Sequence, residues 1–75
     1  MSCLFRIILK PEHEGGYTVT VPSLSGCITY GDTLEEAVKM GEEAISCYLE
    51  SMKKHGEEII DDSGTLEMFL TIEYV

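Results

Sequence analysis

The chain predicts an α+β domain with elements in the order β-β-β-α-β, one helix covering one face of the sheet. Three observations predict it. Apolar and polar residues alternate along Leu4–Lys10 and Tyr17–Val21, and a proline follows each run. Thr33 and Glu36 form a T-x-x-E capping box ahead of apolar residues spaced three and four apart. Leu66–Tyr74 then alternates again over a strand's length.

The first strand, Leu4–Lys10, places Phe5, Ile7 and Leu9 on one face and Leu4, Arg6, Ile8 and Lys10 on the other. Pro11 ends it. Glu12–Gly16 turns the chain, with Gly15 and Gly16 supplying positive φ, into a second strand, Tyr17–Val21. In an antiparallel hairpin Tyr17, Val19 and Val21 share the face of Phe5, Ile7 and Leu9. Pro22 cannot donate to a ladder, so Pro22–Gly26 is a turn and Cys27–Tyr30 a short third strand, with Ile28 and Tyr30 expected to point inward.

The helix begins after Thr33. Leu34, Ala37, Val38, Gly41, Ala44, Ile45, Tyr48 and Met52 form one apolar stripe, and Glu35, Lys39, Glu42, Glu43 and Glu50 face water. Gly41 and Ala44 are small enough to let the helix axis approach the sheet. Lys53, Lys54 and His55 suit the negative end of the helix dipole, and Gly56 the position after the cap. Glu57–Gly64 reads as a mobile acidic loop. In the fourth strand Leu66, Met68, Leu70, Ile72 and Tyr74 alternate with Glu67, Phe69, Thr71 and Glu73. The crossover from the third strand is expected to be right-handed, making the fourth parallel to strand one or strand three. Geometry leaves that choice open.

A length of 75 residues allows one domain, residues 1–75, with little stability in reserve. Fourteen acidic and five basic side chains give a formal charge of −9, which repels phosphate backbones and attracts a basic protein partner. Direct nucleic-acid binding is not expected. Cys3, Cys27 and Cys47 are odd in number, widely spaced and without a histidine cluster, so they read as free thiols, with no metal. The Leu4–Leu9 run is interrupted by Arg6 and too short to cross a bilayer, and no leader pattern opens the chain. A cytoplasmic protein with no membrane contact is expected.

Chemistry finds little support. His13 and His55 stand in no triad or H-E-x-x-H spacing, and no nucleophile elbow, Walker loop or dinucleotide fingerprint is present. Cys27 has no base or cation beside it and reads as a core residue. Strand one carries no carboxylate that could complete a two-metal nuclease site with Glu67 or Glu73. No catalytic residue and no cofactor is assigned, and the chain is not expected to be an enzyme.

The stretch G-Y-T-V-T-V-P-S-L-S-G-C-I-T-Y-G-D-T-L-E-E-A, Gly16–Ala37, resembles the HicB family of antitoxins, whose pattern runs G-Y-x-v, then P-D-L-P-G-C-x-T-x-G-D-T-x-E-E-A and a helix. Tyr17, Pro22, Leu24, Gly26, Cys27, Thr29, Gly31, Asp32, Thr33, Glu35, Glu36 and Ala37 fall in register, and the likeness continues to Gly56, Glu57 and Glu58. Ser23 replaces a common acidic residue and Ser25 a common proline, which predicts a looser turn. The resemblance implies a four-stranded mixed sheet of order 3-2-1-4, a truncated ribonuclease H-like fold. It also implies an antitoxin that binds and masks a HicA-type toxin, a small basic RNA-cleaving protein. Many relatives carry a DNA-binding segment as well, and this stretch leaves nothing over to form one.

The residues expected to meet the toxin are Glu35, Glu42 and Glu43 on the helix. The face of the sheet away from the helix holds Leu4, Ile8, Phe69 and Val75 with no second helix to cover them. Leu4, Ile8 and Phe69 are therefore assigned to self-association as a dimer or larger homo-oligomer. The alternative reading is an oligomeric scaffold or sensing domain that has no toxin.

Overall fold

The computed structural model describes residues 2–74, so Val75 lies outside the described residues. β1 (Ile8–Pro11), β2 (Tyr17–Thr20) and β3 (Ile28–Gly31) form an antiparallel sheet in the order β1-β2-β3, and α1 (Leu34–Lys54) packs over β3 and β2. The first hairpin pairs Ile8 with Thr20 and Pro11 with Tyr17; the second pairs Tyr17 with Gly31 and Thr20 with Ile28.

β1 is shorter at its start than Leu4–Lys10 because its partner runs out. Beyond Thr20, Val21 leaves the ladder and its N–H donates to the Cys27 carbonyl at 3.0 Å, closing the loop that holds Pro22. Phe5 and Ile7 nevertheless pack on the core as expected. The loop is tight, since Leu24 N–H reaches Val21 O and Cys27 N–H reaches Leu24 O, each at 3.0 Å. It turns Leu24 and Cys27 inward beside Val21, against Ile45, Tyr48 and Met52 of the helix. The looseness expected from Ser23 and Ser25 is absent from this geometry.

The helix ends follow local rules. Thr33 Oγ1 accepts from Glu36 N–H at 3.0 Å. The Glu36 carboxylate reaches back one residue further than a capping box requires, accepting from Asp32 N–H at 3.0 Å. At the other end Glu57 N–H donates to Met52 O and Gly56 N–H to Lys53 O, the paired bonds of a Schellman motif.

Two expectations are corrected. Ile28 and Tyr30 do not point inward: they are 63% and 46% exposed. Pairing Val19 with Thr29 puts Thr29, not its neighbours, beneath the helix. The reason is space. A Cβ on Gly31 would stand 2.4 Å from the backbone of Ala37, so the helix crosses β3 where only small side chains fit, and the large ones take the opposite face.

The four-stranded sheet of order 3-2-1-4, and with it the ribonuclease H-like arrangement, is also overturned, because the sheet has three strands. Residues 66–74 pair with none of them; Leu66 and Phe69 are each 96% exposed. Period-two alternation records that a segment suits a ladder with one buried face. It carries no record of which edge supplies the ladder.

Candidate partner-binding surface

The site residues assigned from sequence fall into three places. Glu35, Glu42 and Glu43 are exposed along one side of α1, at positions 1, 8 and 9 residues past its first residue, Leu34. At 100° per residue these positions fall within an arc of about 100°, together with Glu50. Lys39 interrupts the row. Leu34 and Val38, assigned to the buried stripe, lie at its margin and are partly exposed, so the helix buries Ala37 and Gly41 most deeply.

Ile8 sits on the open face of the sheet, where the register joins it with Lys10, Thr18, Thr20, Ile28 and Tyr30. Leu4 precedes β1, and Phe69 stands on the unpaired tail rather than in the sheet. The structure therefore does not bring Leu4, Ile8 and Phe69 together as one face of one sheet.

Sequence reasoning missed the strongest polar cluster. Asp61 and Asp62, read as part of a mobile acidic loop, fasten the chain after the helix to the start of β1. Leu4 N–H donates to Asp61 Oδ2 at 2.9 Å, Arg6 N–H to Asp62 Oδ2 at 2.8 Å, and Asp62 N–H to Leu4 O at 2.7 Å. Asp62 is only 6% exposed and accepts the Ser23 hydroxyl as well, which ties the Pro22–Gly26 turn to the same point. These bonds favour the charged form, holding both carboxyls below the ordinary value of 3.8; backbone N–H groups of Leu4 and Arg6 contribute most. The D-D-S-G run signals a turn, and Ser63 N–H does donate to Asp61 Oδ1. No local signal names residues 57 positions away as partners.

Ser25, the other departure, lends its carbonyl to the Tyr48 hydroxyl at 2.8 Å. An acid at position 23 would face the Asp62 carboxylate instead of donating to it, so serine suits this arrangement. Cys27 is buried and its thiol is pushed up by desolvation, the opposite of an activated nucleophile. His55 Nδ1 lies 2.7 Å from Ser51 O as part of the helix end, and His13 is exposed in the first turn. Among the described residues no three His, Cys, Asp or Glu side chains gather to hold a metal, and no helix is long and apolar enough to cross a membrane.

Glu36 serves the helix cap and Asp61 and Asp62 serve as clamps, while the helix shows an acidic side and the tail an apolar one. The chain belongs to the HicB-like antitoxins of bacterial toxin–antitoxin systems, a family whose model matches residues 5–74. It is similar to a UPF0150 protein of Thermoplasma acidophilum, 44% identical over 60 residues that make up 80% of this chain and 87% of the relative. An uncharacterised 14.9 kDa protein of Haemophilus phage HP1 is 42% identical over 67 residues, 89% of this chain and 49% of its own length. Antitoxin HicB 1 of Photorhabdus laumondii is 36% identical over 55 residues, 73% of this chain and 36% of its own length. The chain thus spans most of the archaeal relative and half or less of the other two.

Proposed function

We propose that this antitoxin binds a small basic RNA-cleaving toxin of the HicA type and neutralises it by covering its positive, RNA-binding surface. The observation that carries this reading is the row of exposed acids Glu35, Glu42, Glu43 and Glu50 on α1, on a chain of formal charge −9. A positive surface that holds RNA is complementary to such a row, and two partners of opposite field associate quickly. Occupying that surface excludes RNA without any chemistry by the antitoxin. The protein acts by coverage, in the cytoplasm where messenger RNA is translated.

The test is binding of a basic HicA-type toxin to the full chain and to the double variant Glu42→Lys/Glu43→Lys. Both positions lie off the packed stripe, so the fold is retained. Affinity is expected to fall at least about tenfold, mostly through a slower, less salt-dependent association. Unchanged affinity and salt dependence would remove the helix from the contact. The exposed apolar tail supports a second reading, an oligomeric scaffold or sensing domain without a toxin. Failure of any small basic protein to co-purify with the chain expressed from its native gene neighbourhood favours that second reading.

A further inference from the structure

Residues 66–74 are the part of the chain that the acidic helix leaves unexplained. Leu66, Met68, Phe69, Leu70, Ile72 and Tyr74 are between 72% and 96% exposed. Single exposed apolar residues are ordinary, but six within nine positions mark an interaction segment. The main chain is as unmatched as the side chains: among the described residues no backbone hydrogen bond joins 66–74 to the rest of the protein. A segment with the alternation of a strand and no ladder of its own has its ladder elsewhere.

The segment is free along its length but fixed at its root. Thr65 N–H donates to Asp62 O at 2.9 Å, its hydroxyl to Asp62 Oδ1 at 3.2 Å, and Arg6 Nη1 holds Glu67 at 3.2 Å. Asp62 is in turn tied to Arg6 N–H and to the Ser23 hydroxyl. Nine extended residues reach about 30 Å, and the molecule is drawn out to 48 Å along one axis against 28 and 20 Å along the others. A fixed root lowers the ordering cost of docking such an arm.

Charge selects the occupant. From Gly56 to Tyr74 the chain carries Glu57, Glu58, Asp61, Asp62, Glu67 and Glu73 and no basic side chain. A second copy, itself at −9, is repelled by this stretch, whereas a basic protein is attracted.

We propose that residues 66–74 are a docking strand that adds itself to an exposed sheet edge of the basic toxin. Main-chain hydrogen bonds along that edge supply the ladder, and the row Leu66, Met68, Leu70, Ile72 and Tyr74 fills the apolar face beside it. The strand anchors the complex while the acids of α1 cover the positive surface, so the two elements divide holding from steering. The partner's identity rests on the toxin reading above; the strand's role is a separate claim.

The test is hydrogen exchange of the full chain, alone and with a basic HicA-type toxin, together with binding kinetics of Leu70→Ser/Ile72→Ser. Both side chains are mostly exposed and neither replacement alters charge, so the fold and the electrostatic approach are kept. On adding toxin, every second amide of 66–74 is expected to become protected. The variant is expected to bind at least about tenfold more weakly through faster dissociation, with the association rate and its salt dependence unchanged. Toxin bound while 66–74 exchanges as freely as before, with the variant matching the wild type, overturns the docking strand and leaves the toxin reading standing. A wild-type chain with no affinity for the toxin removes both. Protection of 66–74 that arises without toxin and grows with the chain's own concentration makes a second copy the occupant, and it too overturns the proposal.

Discussion

Gly31→Ala tests the approach of helix to sheet most directly. The added methyl would lie 2.4 Å from both N and Cα of Ala37 and 2.9 Å from its Cβ, where ordinary contact begins at about 3.5 Å. The obstacle is backbone, which no rotamer change can move aside, so the start of α1 must shift by about 1 Å or β3 must bend away. Such overpacking costs typically about 1–3 kcal/mol. In a domain of this size each kcal/mol lowers the melting temperature by about 4–8 °C, so a fall of roughly 4–24 °C is expected. Gly41→Ala is the matched control. Its methyl would meet Val19 Cγ1 at 3.3 Å and Ile7 Cδ1 at 3.7 Å, side chains able to yield by a few tenths of an ångström. The helix meanwhile gains about 1 kcal/mol of propensity, so the melting temperature is expected to hold or rise. The assay is thermal unfolding followed by circular dichroism. A Gly31→Ala protein melting with the wild type, or above Gly41→Ala, refutes the docking geometry.

Three further expectations rest on single groups. Asp61 and Asp62 titrate below 3.8 when folded, so their contribution is present above that value and is lost as pH falls through their lower folded values. Asp62→Asn should therefore melt lower at neutral pH and show a shallower acid transition, read by unfolding scans from about pH 7 to about pH 2. Thr33→Ala removes the hydroxyl that accepts Glu36 N–H and should cost about 1 kcal/mol in denaturant unfolding; a loss under about 0.3 kcal/mol would mean that Glu36 and Asp32 hold the helix start alone. Toward a thiol reagent the exposed Cys3 and Cys47 should react at once and the buried Cys27 only on unfolding, and three equal rates would show that the core opens freely.

Much of the domain was legible in order of residues alone, and the legible parts are those governed by near neighbours. The capping box at Thr33, the Schellman end at Gly56, the two-glycine turn and the alternation of β1 and β2 each depend on residues within a turn or two. So does the solvent-facing row Glu35, Glu42 and Glu43, since helical spacing alone puts it opposite the stripe. Cys27 was read as a core residue because nothing charged stands near it in the chain, and the fold adds none. The family pattern through Gly16–Ala37 was legible for the same reason, as a run of turn and cap residues whose spacing is dictated by local geometry.

Where the reading failed, the missing information lay in distance through space. Hydrophobicity favoured Ile28 and Tyr30 as inward residues, yet the close crossing of Ala37 over Gly31 left room there for Thr29 alone. Asp61 and Asp62 looked like solvated charges until the fold delivered the N–H groups of Leu4 and Arg6 to them. The alternation of Leu66–Tyr74 was real, but a ladder needs a second strand, and this chain places none beside it. By itself the sequence determined the local elements, the acidic helix side and the family, because these follow from propensity, period and charge. Only the tertiary structure decided which face each strand shows, which acids became clamps and which segment was left without an edge, because those outcomes depend on how closely two backbones approach.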